Sequence, residues 1–164
     1  MQQDGSSTTP PQLAFVMQVQ VEVAAPLELG EIHGSHQRVV PITGGTFQGP
    51  RLRGQVLNTG ADWQITRSDD VAVLDARYLL QPERGQLIAV HNRGIRHGAP
   101  DLATRIAAGE YVHPSEYYFM TTPVFETAAP ELQWLTRSIF IGRGERERSR
   151  VLLNIWRLEH PTAL

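Results

Sequence analysis

The chain has 164 residues, 41% of them hydrophobic and 20% charged, with a formal net charge of −2. That suits one globular domain and gives no electrostatic case for nucleic acid or an anionic membrane surface. There is no cysteine, and every basic residue other than histidine is Arg, which removes disulfides, thiolate metal sites, a Cys nucleophile, a Schiff-base lysine and a P-loop lysine.

Residues 1–12 read as a disordered tail. They lack the basic region and apolar core of a secretory signal, so the cytoplasm is the expected location. No stretch reaches the roughly 18 apolar residues that would cross a bilayer. From Leu13 to Ala24 the sequence alternates, with Phe15, Met17, Val19, Val21 and Val23 on one face and Gln18, Gln20 and Glu22 on the other. That is the period of a β-strand. Residues 25–37 are rich in turn formers and read as a link. Residues 38–50 are extended but interrupted by Pro41, Gly44, Gly45 and Gly49, the signature of bulges or a bend. Four strands follow, within 51–58, 61–68, 71–81 and 85–94, separated by short links of turn-forming residues. Residues 99–110 form the one convincing helix, opened by Pro100 and Asp101 and stopped by Gly109. Residues 115–127 return to strand, 129–137 make a helical turn, and 138–159 form a terminal strand pair.

Nine or ten short strands with one short helix predict an all-β fold: a single antiparallel barrel spanning 13–159, with a short tail at 160–164. The links are too short for helical crossovers, which excludes a parallel α/β sheet. Closure into a barrel removes exposed strand edges.

The candidate chemistry lies on the later strands. Asp75 and Arg77 sit two apart in an apolar run, on one face with Val73 and Leu79. If that face is the lumen they must pair or hold a ligand, because a lone buried charge is costly. On the next strand His91 and Arg93 share a face; His91 is suited to proton exchange near neutral pH. Arg93 and Arg96 form a candidate carboxylate clamp. Asp62 and Trp63 enter a strand together, Asp62 as a turn cap or binding group and Trp63 as core or pocket wall. Tyr118 and Met120 fall on one face, Phe119 and Thr121 on the other. The paired histidines His33 and His36 lack further ligands nearby, so no metal is expected. No phosphate loop and no G-x-S-x-G elbow is present.

Several of these blocks, "GGTFQGPRLRGQVLNTGADWQ", "LDARYLL", "VHNRGIRHG", "PSEYYFMTTPVFET" and "WLTRSIFIGRG", occur in an order that resembles the family called domain of unknown function 3237, or uncharacterised protein family 0311. The similarity runs from about residue 14 to 158. The resemblance implies a calycin-like or streptavidin-like β-barrel. For some members it implies a link to the breakdown of lignin-derived or other aromatic compounds, including cofactor-free decarboxylation of aromatic acids. It supplies no catalytic signature.

The expected function is therefore a barrel that binds a small aromatic or carboxylate-bearing ligand, acting as a cofactor-independent lyase on an aromatic or phenolic acid. In that reading Arg77 or Arg93 holds the anion and Asp75 and His91 are the acid/base pair. Tyr118 hydrogen-bonds the substrate. Asp62, Trp63, Phe119 and Thr121 line its site. The rivals are a non-catalytic, lipocalin-like binding protein and a structural or interaction protein. A second copy of the chain is a candidate partner; nucleic acid and membrane are not.

Overall fold

A computed structural model describes residues 8–161; residues 1–7 of the expected N-terminal tail and 162–164 of the C-terminal one lie outside that range. Ten strands and one α-helix follow in order: β1 (Gln12–Val23), β2 (Leu27–Ile32), β3 (Ser35–Gln48), β4 (Arg53–Val56), β5 (Gly60–Thr66), β6 (Ala72–Pro82), β7 (Ile88–Gly98), α1 (Leu102–Ala107), β8 (Tyr117–Glu126), β9 (Phe140–Arg146) and β10 (Arg150–Glu159). Single 3₁₀ segments at Pro114–Glu116 and Pro130–Arg137 precede β8 and β9.

All pairings are antiparallel, and β1 closes the ring by bonding β10 on one side and β3 on the other. Two positions in the ring are each shared by two strands. β4 and β5 both lie between β3 and β6, and β2 continues β1's side of β3. The result is a closed barrel of eight strand positions.

The link expected over 25–37 is instead a hairpin, β2 to β3. His33 and Gly34 turn it with φ of 51° and 81°, the paired positive angles of a type I′ turn. The interruptions expected in β3 bend the strand without ending it. At Gly45, with φ of 130°, a Cβ would stand 1.9 Å from the Gln20 carbonyl oxygen, so only glycine lets β3 lie this close to β1. In β1 the register shifts between Phe15 and Met17. The bulge turns Val16 and Met17 both inward and leaves Phe15 46% exposed, packed edge-on against Trp156. The unbroken Phe15–Val23 face expected from alternation is thus corrected by one extra residue.

The interior has two apolar ends. The larger core gathers Met17, Val19, Phe47, Leu80, Phe125 and Phe140, closed below by Leu132 and Leu135 from the 3₁₀ segment. Phe125 and Phe140 meet edge-to-face at 5.0 Å. A smaller cluster packs at the other end, where Leu102 and Ile106 of α1 meet Ala72, Leu74 and Phe119. Fully burying each large apolar side chain contributes about 1.5–3 kcal/mol. Between the two ends polar side chains enter the lumen among apolar ones.

Candidate functional site in the barrel lumen

Alternation along β6 sets the geometry. Leu74, Tyr78 and Leu80 are buried, so Asp75 and Arg77 stand on the outer face. The register stacks inward rows from the α1 end downward: Thr66, Ala72, Arg96 and Phe119; then Arg38, Gln64, Leu74, Gly94 and Thr121; then Val40, Asp62, Ala76, Asn92 and Pro123; then Ile42, Gly60, Tyr78, Val90 and Phe125. Polar side chains occupy the upper rows and reach down to Tyr78.

These groups form a short relay. Arg38 donates through Nε to Gln64 Oε1 at 2.8 Å, and Gln64 Nε2 donates to Asp62 Oδ2 at 2.7 Å. The Asp75 backbone N–H donates to Asp62 Oδ1 at 3.0 Å. Arg146 enters from β9, its backbone N–H donating to the Tyr117 hydroxyl at 3.0 Å and its guanidinium to the Arg150 carbonyl. Arg96 is 5% exposed. Its guanidinium lies 5.6 Å over the Phe119 ring and donates no hydrogen bond to the described residues. Three guanidinium groups therefore surround one carboxylate; Glu28, at 3.8 Å, offsets part of the Arg38 charge.

The electrostatics follow from burial. Desolvation raises the Asp62 carboxyl above the ordinary aspartate value, against the lowering pull of Gln64, the Asp75 N–H and the charges of Arg96 and Arg38. Desolvation lowers Arg96 to about 10, helped by Arg38 and Arg146 and opposed by Asp62. Arg146 is lowered for the same first reason, and burial raises Tyr78.

A cavity of about 50 Å³, counted as space open to the centres of water-sized molecules, lies among these residues. About 10–15 Å³ on that measure admits one water, so it can hold several waters or the compact head of an organic molecule. Its walls combine Val21, Leu74 and Leu153 with Asp62, Asn92 and Arg96. Three buried polar atoms on this same cavity, Tyr78 Oη, Asn92 Oδ1 and Thr121 Oγ1, have no hydrogen-bond partner among the described residues. Leaving such atoms unmade costs about 1–3 kcal/mol each. Three of them around one void mark a space shaped for a polar occupant.

Of the residues singled out in the sequence, Asp62, Phe119 and Thr121 meet in this lumen. Asp75, Arg77, His91, Arg93, Trp63 and Tyr118 stand on the outer face, which corrects the lumen position expected for them. There His91 Nε2 bonds Asp75 Oδ1 at 2.6 Å, and Tyr118 stacks on His97 at 5.2 Å. Trp63 is 58% exposed. Arg93 and Arg96 are three apart on β7 and so project from opposite sides of the wall; they cannot clamp one carboxylate. Sequence reasoning missed Arg38, Gln64, Tyr78, Asn92 and Arg146. A usable signal was present: Leu74, Tyr78 and Leu80 form the bulkier apolar face of β6, which is the face a core selects. Among the described residues no group of three or more His, Asp or Glu side chains is placed to hold a metal ion.

Residues 11–158 match the family described as "Protein of unknown function (DUF3237)". The chain is 36% identical over 141 residues to the UPF0311 protein RPA1785 of Rhodopseudomonas palustris, covering 86% of this chain and 92% of that one. The crystal structure of that protein superposes with a TM-score of 0.89, covering 92% and 99% of the two chains at 34% identity. A β-barrel like protein from Acinetobacter baumannii superposes with a TM-score of 0.81 at 38% identity, covering 93% and 99%. An enzyme from Penicillium herquei shares the fold at 21% identity, with a TM-score of 0.71 and coverage of 94% and 99%.

Proposed function

Since the chain belongs to the DUF3237 family, whose barrel it shares, we propose that its lumen binds a small aromatic or phenolic organic anion and moves a proton on it without a cofactor. The observation that carries this reading is the convergence of three unpartnered buried polar atoms and a buried, hydrogen-bond-free guanidinium on one cavity. Burying the Arg96 guanidinium is costly for the fold alone, and Asp62 is one carboxylate shared among three guanidinium groups; an incoming carboxylate or phenolate would supply a direct hydrogen-bonded partner. The same fold serves as an enzyme in Penicillium herquei, an analogy of architecture only.

In this reading Arg96 and Arg146 hold the anion, and Tyr78, Asn92 and Thr121 orient it. Asp62 is the proton carrier, because burial favours its protonated form while Gln64 and the Asp75 N–H stabilise the ionised one. The acid/base role expected for Asp75 and His91 passes to Asp62. With a 4-hydroxycinnamate the balanced step is as follows. The phenol gives up its proton to a base or solvent, and Asp62 delivers a proton to the carbon bearing the carboxylate, forming a quinone methide. The carbon–carboxylate bond then breaks, carbon dioxide leaves, and the electron pair returns through the ring to the phenolate oxygen. The phenolate then regains the proton it gave up and Asp62 takes one from solvent, so the net change consumes one proton and yields a 4-vinylphenol and carbon dioxide.

The test is calorimetric titration with 4-hydroxycinnamate, followed by a carbon-dioxide release assay. Arg96→Met should weaken binding by about tenfold or more, while its thermal midpoint stays level or rises because a desolvated charge has gone. Asp62→Asn should retain binding and lose turnover. Binding without turnover in the unaltered protein would favour the lipocalin-like carrier. Absence of binding by any aromatic acid or phenol would favour an interaction protein.

A further inference from the structure

The inner cavity, about 50 Å³, is too small to enclose an acid of two rings, and at the α1 end it adjoins a larger space. A cleft of about 390 Å³, on the same measure as the inner 50 Å³, lies between α1 and the barrel rim. Arg96 lines both spaces. Arg38 lines the cleft and bonds Gln64, which lines the inner cavity. The partition between them thus carries two guanidinium groups.

The cleft is suited to the body of an organic anion. Its rim carries His36 and Arg38, while His97 lines it with its ring stacked on Tyr118 outside, and Asp70 is the single acid among its lining residues. His36 is held by Glu28 at 2.5 Å and faces Glu31 at 3.5 Å. Leu102 and Ile106 seat α1 on the barrel. That leaves Ala103 and Ala107, one helical turn apart, facing the cleft. Small side chains at both positions keep it open.

We propose that the site is bipartite and its ligand an elongated organic anion. The charged head passes Arg96 into the inner chamber, and an aromatic or alicyclic body lies in the cleft beneath α1, against Ala103 and Ala107. This rests on the lumen-binding reading above and adds the length and orientation of the ligand.

The probes are benzoate, for the head alone, and biphenyl-4-carboxylate, for head and body, each titrated calorimetrically into the unaltered protein and into Ala103→Trp, Ala107→Phe and Arg96→Met. The second ring buries further apolar surface, so the longer acid should bind about tenfold or more tightly. Both cleft-filling variants should erase that gain and leave benzoate within about twofold of its original affinity. Two exposed helix positions guard against one variant misfolding, and the thermal midpoint of each checks it. Benzoate bound in an Arg96-dependent way, but with no gain from length, would overturn the bipartite site and leave the lumen reading standing. Cleft variants that weaken both acids equally would do the same. Failure of both acids to bind the unaltered protein would overturn both readings.

Discussion

The backbone N–H of Asp75 donates a 3.0 Å hydrogen bond to the Asp62 carboxylate, although the two side chains lie on opposite faces of the barrel wall. The outer acid thus helps to hold the inner one through its main chain, while its own carboxylate pairs with His91 outside. Two aspartates one strand apart therefore have separate roles, and substitution can tell them apart.

Asp75→Asn keeps the backbone donor and alters only the outer hydrogen-bonded pair with His91, whose partners are 34% and 44% exposed. Exposed pairs contribute about 0–1 kcal/mol. The variant should unfold in urea within that margin of the original and bind 4-hydroxycinnamate within about twofold of it. A large loss of binding would return the site to the outer face.

Asp62 should titrate above the ordinary aspartate range, because burial is its largest influence. Asp69 should titrate below it, held down by its hydrogen bond from Arg67. Carboxyl-carbon NMR across acid to neutral pH separates the two; Asp62 titrating at or below Asp69 would contradict the desolvated lumen. The stability sign follows. A carboxyl raised in the folded state contributes stability fully below its unfolded value, near 3.9. That contribution is lost as pH rises through the folded value. Asp62→Asn should therefore flatten the decline of stability with pH over that interval in denaturant titrations.

Phe119 keeps its place because Gly144 has no side chain. A Cβ at Gly144 would lie 2.4 Å from the Phe119 ring, which underlies the Arg96 guanidinium. Gly144→Ala should cost about 1–3 kcal/mol by overpacking, read as a fall in thermal midpoint, and should weaken ligand binding as Arg96 shifts. Phe119→Leu added to Gly144→Ala should recover part of the stability, since the two changes share one contact. Strictly additive losses would show that the ring does not transmit the clash.

Much of the frame was legible because its causes are local. Alternation marked β1 and β5–β8, turn residues marked most of the links between strands, and Gly109, with φ of 79°, ends the α1 turn where expected. The family blocks carried the barrel itself. The β2 hairpin was missed because Leu27–Ile32 lies along an edge with few buried side chains, which leaves no clear periodicity to read.

The amino-acid sequence by itself determined most of the strands, most of their turns and, within an unbulged strand, which residues share a face. Only the tertiary structure decided which face looks inward, since a period of two has two equivalent phases and one bulged residue, as at Phe15–Met17, exchanges them. It also decided which charges meet. Arg38, Asp62, Arg96 and Arg146 come from β3, β5, β7 and β9, and only the closed ladder brings these distant residues around one cavity, where burial rather than sequence spacing governs their chemistry.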